Sequence, residues 1–156
     1  MIEDWSHVGP GDRLDLLDEM IDDICPETQA DFDWAEVHLG MSAEDCLGLF
    51  VNAPKLGLLR APDGKPLYLF AFNPALSTFS TSRRRAMGMY LTKHILRWAR
   101  TPEGDAFFRG TSVLADAADV DASFGGAWVR KMGYTFVDSI RLPTGPTINR
   151  YRYEGA

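Results

Sequence analysis

The sequence predicts an α/β protein of the α+β kind: a mixed, mostly antiparallel sheet with helices on both faces. Three observations carry that expectation. Apolar residues run at helical spacing through the first fifty positions. They then switch to short apolar runs about the turn dipeptide Asp63-Gly64. One long helical pattern and several strand-like segments follow, ending in two strands joined by a turn-rich link.

Element by element, residues 11–25 place Leu14, Leu17, Met20, Ile21 and Ile24 on one stripe, with Asp12 as the expected N-cap and Pro26 as the stop. Residues 31–38 predict a short helical turn closed by Gly40. Ser42 followed three positions later by Asp45 is a capping-box start, and that helix should end before Pro54. LGLLRAP, the turn DGKP and LYLFAF read as a β-hairpin. Asn73-Pro74 supplies a second turn and ALSTFST a third antiparallel strand. A helix is expected over 83–100, with Met87, Tyr90, Leu91, Ile95 and Trp98 on one broad face and Thr101-Pro102 and Gly104 ending it. FFRGTSVLA reads as a strand, with Val113 and Leu114 near its end. ADVDASFGGAWVRKMGY reads as a loop and a short helix stopped by Gly133. TFVDSIRL and INRYRYE are strands flanking LPTGPT.

The chain has 156 residues, 46% apolar and 24% charged, which points to one globular domain over 1–156. No apolar run approaches the ~18 residues of a membrane span. The acidic start MIEDWSHVGPGDR lacks the pattern of a secretory signal, so no membrane partner and a cytoplasmic location are expected. A net charge of −6 argues against nucleic acid as a partner. The charge is uneven, however. Acids crowd DRLDLLDEMIDDICPE, while arginines gather at 83–85, 97–100 and 130–152, which suits either a local anion pocket or subunit contacts. Cys25 and Cys46 lie far apart, and His7, His38 and His94 are scattered; free thiols and no metal site are expected.

The stretch RRRAMGMY raises the functional question. Arg83, Arg84 and Arg85 follow the Ser/Thr-rich STFSTS, and Gly88 stands three residues past the last of them. An α/β protein puts a phosphate-binding turn at such a place, with backbone N–H groups and a helix N-terminus facing the anion. A basic first turn of an ordinary helix has the same composition.

This element order, with Arg85-Ala86-Met87-Gly88-Met89-Tyr90, AWVRKMGYTFV and the closing IRLPTGPTINRYRYE, resembles the GNAT superfamily of N-acetyltransferases. In that family the acetyl-CoA loop after the fourth strand reads R/Q-x-x-G-x-G/A, a late segment reads A-x-x-Y-x-K-x-G-F, and a closing strand swings out and returns. Asp33, Glu36 and Gly40, with Trp128 to Tyr134, are also similar to a phage branch of GNAT-like proteins that includes the internal virion protein A of short-tailed phages. The resemblance implies acetyl-CoA as cofactor, its pyrophosphate held at Arg83, Arg84, Arg85 and Gly88, and an amine acceptor.

Departures from the family pattern are specific. Tyr90 replaces the loop's last small residue, and Val129 stands where the family places its tyrosine acid. STFSTS offers no glutamate base, and residues 115–119 hold no cofactor-facing asparagine. Asp33 and Glu36 remain as conceivable bases, Trp128 and Tyr134 read as packing, and the catalytic residues are left unassigned. Two functions are implied: an acetyl-CoA-dependent N-acyltransferase with a degenerate site, or a non-catalytic virion or assembly protein with phage or host protein partners. The first would act in the bacterial cytoplasm, the second also in the virion. Trp5, Phe32 and Trp34 are candidates for a partner-binding aromatic surface, with core packing the commoner fate of such residues.

Overall fold

The computed structural model describes residues 1–73, 78–83, 89–117 and 129–155. In chain order the elements are β1 (Ile2–Asp4), α1 (Pro10–Ile21), α2 (Pro26–Leu39), α3 (Ala43–Val51), β2 (Lys55–Arg60), β3 (Pro66–Asn73), β4 (Thr78–Arg83), α4 (Met89–Ala99), α5 (Pro102–Phe108), β5 (Ser112–Asp116), β6 (Tyr134–Arg141) and β7 (Thr147–Tyr153). The fold is α+β. The single sheet expected from the sequence is two: one of order β1-β2-β3-β4 and one of order β5-β7-β6. Contacts divide the chain into two compact units, 1–73 with 80–91 and 74–79 with 92–156.

In the first unit, β2 and β3 form the expected hairpin, with Leu58 opposite Leu69 and Gly57 opposite Phe70. Its turn is held by Gly64 at φ 89, by the Lys65 N–H donating to Asp63 Oδ1, and by Arg60 Nη1 donating to the Gly64 carbonyl. Both strands are buried almost throughout, which explains their continuous apolar runs in place of alternation. β1 pairs along the other edge of β2, Ile2 opposite Leu59. Onto β3 pack α1 and α3, and the core gathers Leu16, Leu17 and Met20 with Phe50, Leu56, Leu58 and Leu69.

Helix boundaries correct the sequence reading. α1 starts one residue past Gly9, with Pro10 inside its first turn, so Asp12 is not the cap; α1 ends at Ile21. Pro26 begins α2 rather than stopping α1, because proline lacks only an N–H that the first helical turn leaves unbonded anyway. α2 is accordingly longer than the turn expected at 31–38, and Gly40, at φ 66, closes it as predicted. The Ser42/Asp45 capping box forms in both directions: the Asp45 N–H donates to Ser42 Oγ and the Ser42 N–H to Asp45 Oδ2. The buried stripe of α1 is Arg13, Leu16, Leu17 and Met20, whereas Leu14 and Ile21 are 47% and 38% exposed. Trp5 and Phe32 pack against the core, and Trp34 lies against His38 with ring centroids 4.9 Å apart.

In the second unit, Thr101-Pro102 both ends one helix and starts the next. Thr101 Oγ1 accepts from the Gly104 N–H and donates to the Trp98 carbonyl, and Pro102 enters the first turn of α5. Phe107 and Phe108, read from sequence as strand, therefore belong to α5, and β5 starts at Ser112. Their rings meet Trp98 and each other at centroid distances of 5.1–5.6 Å. A helical turn at 129–131 ends at Gly133, φ 96, as expected. β7 returns between β5 and β6, with Val113 opposite Tyr151 and Tyr134 opposite Tyr153. The ladders β1–β2, β2–β3, β5–β7 and β6–β7 are antiparallel. The turn expected at Asn73-Pro74 and the loop that contains Trp128 extend outside the described residues.

Candidate functional site

Arg83 is the last residue of β4, not the first of a helix, and α4 opens at Met89. Arg84, Arg85 and Gly88, the rest of the candidate anion site, lie outside the described residues, as does Met87. Five residues separate a strand end from a helix start, the chain context in which strand-to-helix phosphate sites are built.

The late segment can be followed in full from Val129. Val129 is 5% exposed and aliphatic, so the position where the resemblance would put an acid offers no proton. Tyr134 has a hydroxyl 2.7 Å from Thr111 Oγ1. Thr111 already gives its single proton to the Phe108 carbonyl at 2.6 Å, so the tyrosine donates and the threonine accepts. Burial pushes the Tyr134 pKa well above the ordinary tyrosine value, and the charge of Tyr153 adds to it. A phenol held protonated in this way packs against Phe108 and Tyr153, as the sequence reading expected of it.

The conceivable bases are ordinary surface groups. Asp33 is exposed and accepts from Gln29 Nε2 at 3.0 Å, one turn back on α2; Glu36 is exposed on the same helix. Cys25 and Cys46 are free and buried. Cys25 Sγ sits 3.3 Å from Thr28 Oγ1. Burial first, then the charges of Asp45 and Glu36, push the Cys46 thiol up, which makes it a poor nucleophile. Among the described residues no cluster of three or more His, Cys, Asp and Glu side chains could hold a metal ion.

Two features escaped the sequence reading. Arg13 is 4% exposed, and among the described residues its guanidinium donates only to backbone carbonyls, those of Trp5, Ser6, Val8, Phe50, Val51 and Ala53. Its position three, four and seven residues before Leu16, Leu17 and Met20 was the available signal. The second is an open cleft of about 400 Å³ in the first unit, lined by Trp5, Val8 and Leu16 together with Asp12, Asp15, Glu19 and Arg60. No segment of sequence brings β2 next to α1, so nothing local announced it.

Among the described residues no helix is long and apolar enough to cross a membrane. Compared with known proteins, the chain matches no family model, no curated protein and no solved structure.

Proposed function

We propose that the chain is a GNAT-like protein of phage type that binds a CoA thioester between β4 and α4 and transfers its acyl group to an amine with a reduced catalytic set. The observation that carries the reading is strand order: a four-strand meander, then a sheet in which the last strand returns between β5 and β6. The 129–131 turn placed directly before β6 supports it too. On this reading the chain's contribution is positioning and charge. Backbone N–H groups around Gly88, with Arg83, Arg84 and Arg85, hold the pyrophosphate, and arginine suits it because its fork meets phosphate oxygens in pairs. The amine nitrogen attacks the thioester carbonyl carbon, the carbon–sulfur bond breaks, and the acyl group passes to nitrogen. With valine at 129 the thiolate leaves unassisted and takes its proton from water, and the proton shed by the attacking nitrogen passes to water.

The buried aliphatic Val129 and the sealed hydroxyl of Tyr134 favour a second reading, a non-catalytic GNAT-like scaffold in a virion or its assembly. Calorimetric titration with acetyl-CoA and with CoA separates the two. Binding at about micromolar Kd, weakened at least about tenfold in Arg85→Ala and in Gly88→Glu, supports the cofactor site. Absence of binding at about millimolar ligand overturns the acyltransferase and leaves the scaffold.

A further inference from the structure

We infer that the helical layer of the first unit docks a basic peptide segment of a partner protein, with one apolar anchor side chain seated in the cleft beside Trp5, Val8 and Leu16. The inference stands apart from the acyltransferase reading and uses other residues.

Its first support is the distribution of charge. Residues 11–54 carry twelve Asp and Glu, one arginine and no lysine. That arginine is Arg13, which is buried with its donors on backbone carbonyls. α1, α2 and α3 therefore contribute carboxylates to the surface and no exposed Lys or Arg of their own. A field of one sign repels itself and lowers the stability of the layer that carries it, so the hydrophobic core gains nothing from it. Asp12 and Asp15 have no hydrogen-bond or ion-pair partner among the described residues.

The second support is the cleft. Asp12, Asp15 and Glu19 recur at helical spacing along the face of α1 that borders it, so the lining sets carboxylates beside the apolar Trp5, Val8 and Leu16. Arg60 does not neutralise those carboxylates, because Glu3 Oε1 holds its Nε at 2.7 Å and the Gly64 carbonyl its Nη1 at 3.0 Å. About 400 Å³ is at the small end of ligand pockets and admits one large side chain with its flanks. The apolar lining residues disfavour a bare polyamine, and the carboxylates disfavour nucleic acid. Lysine or arginine on either side of an aliphatic or aromatic anchor matches both features at once.

Short synthetic peptides test this on the full chain, each with a central Leu, Phe or Trp between lysines and arginines, beside a matched peptide with serine at the centre. Titration calorimetry should give about micromolar binding for the anchored peptides, at least about tenfold weaker for the serine peptide. The double variant Asp12→Asn/Asp15→Asn and the single variant Val8→Ser should each weaken the anchored peptides by a similar factor without lowering the melting temperature. Binding by none of the peptides overturns the inference. Equal binding of the serine peptide also overturns it, since attraction would then be diffuse, and so does undiminished binding by the variants. Self-association in sedimentation that the same variants abolish would assign the cleft to a second copy of the chain and overturn the peptide as occupant.

Discussion

Arg13 Nη1 donates to the carbonyl oxygen of Ala53 at 2.8 Å, across 40 positions of sequence. The same nitrogen reaches the Phe50 and Val51 carbonyls at 3.0 and 3.2 Å, at the C-terminal end of α3. Nε and Nη2 turn the other way, to Val8 at 2.8 Å, Ser6 at 3.0 Å and Trp5 at 3.2 Å. A helix C-terminus carries unpaired carbonyls and a partial negative charge, so a cation there meets both needs. The planar fork of arginine lets one side chain serve two groups of acceptors.

Replacing Arg13 by methionine keeps much of the packing and removes every donor. The carbonyls of Ser6, Val8, Phe50, Val51 and Ala53 then lose this donor while that of Trp5 keeps the Val8 N–H, and the loss should be roughly 3–5 kcal/mol. Arg13→Lys keeps the charge but brings three donors on a single nitrogen, so it should lose less than the methionine variant. Urea unfolding followed by circular dichroism measures both. A methionine variant within about 1 kcal/mol of the parent would mean that water satisfies those carbonyls.

The Tyr134 hydroxyl makes stability depend on alkaline pH. Its folded pKa lies above the ordinary tyrosine value of about 10, so the unfolded chain loses the proton first. The stabilisation is therefore complete below about pH 10 and falls as pH rises beyond it. Tyr134→Phe should lose about 1 kcal/mol at neutral pH, the net worth of the Thr111 bond, and should flatten the decline between about pH 10 and 11. Guanidinium midpoints of the two proteins across that range give the comparison, and parallel declines would contradict it.

Across the hairpin Gly57 faces Phe70, and the phenyl ring occupies the space a Cβ would need: even Cε1 would lie 2.8 Å from it. Phe70 is 1% exposed, so the ring has nowhere free to go. Gly57→Ala should destabilise by roughly 1–3 kcal/mol through overpacking. Phe70→Leu, itself destabilising through the lost ring, should make the alanine far better tolerated. A double-mutant cycle from thermal melts should give a coupling of at least about 0.5 kcal/mol, and additive effects would show that the strand shifts instead.

How much of this was legible depended on whether the chemistry was local. Asp63-Gly64, Ser42 with Asp45, Gly40 and Gly133 act within a few residues of themselves, and each formed what its spacing predicts. Pro26 and Pro102 carry two opposite meanings, stop and first turn, and Cys25 and Thr101 in extended backbone decide for the second. Phe107 and Phe108 have the bulk that favours strands, yet capping by Thr101 and the Trp98 ring hold them helical. The division into two sheets depends on strand pairing far apart in sequence. Arg13 was hidden for another reason: among so many acids it reads as a surface counter-charge, and only its phase with Leu16 and Leu17 says otherwise. The candidate anion site rests on RRRAMG alone: Arg84, Arg85 and Gly88 lie outside the described residues, and the structure gives only the end of β4 and the start of α4 on either side.

Gly104 offers the sharpest contrast between two glycines in helices. It is buried in the first turn of α5, where a Cβ would lie 2.6 Å from the Trp98 carbonyl carbon and 2.9 Å from Ala99 Cα. Those are backbone atoms, so no rotamer change can make room. Gly104→Ala should push α5 off the end of α4, break the Thr101 cap and pull Phe107 and Phe108 from Trp98, with a loss of roughly 3 kcal/mol or more. Gly11 lies in α1 with nothing within 4 Å of its Cβ position. Gly11→Ala should gain roughly 0.5–1 kcal/mol, because alanine restricts the unfolded chain and favours the helix. Melting temperatures of the two variants should therefore move in opposite directions. A neutral Gly104→Ala would mean that the turn between α4 and α5 yields, and the close approach at Trp98 would then be no constraint on the fold.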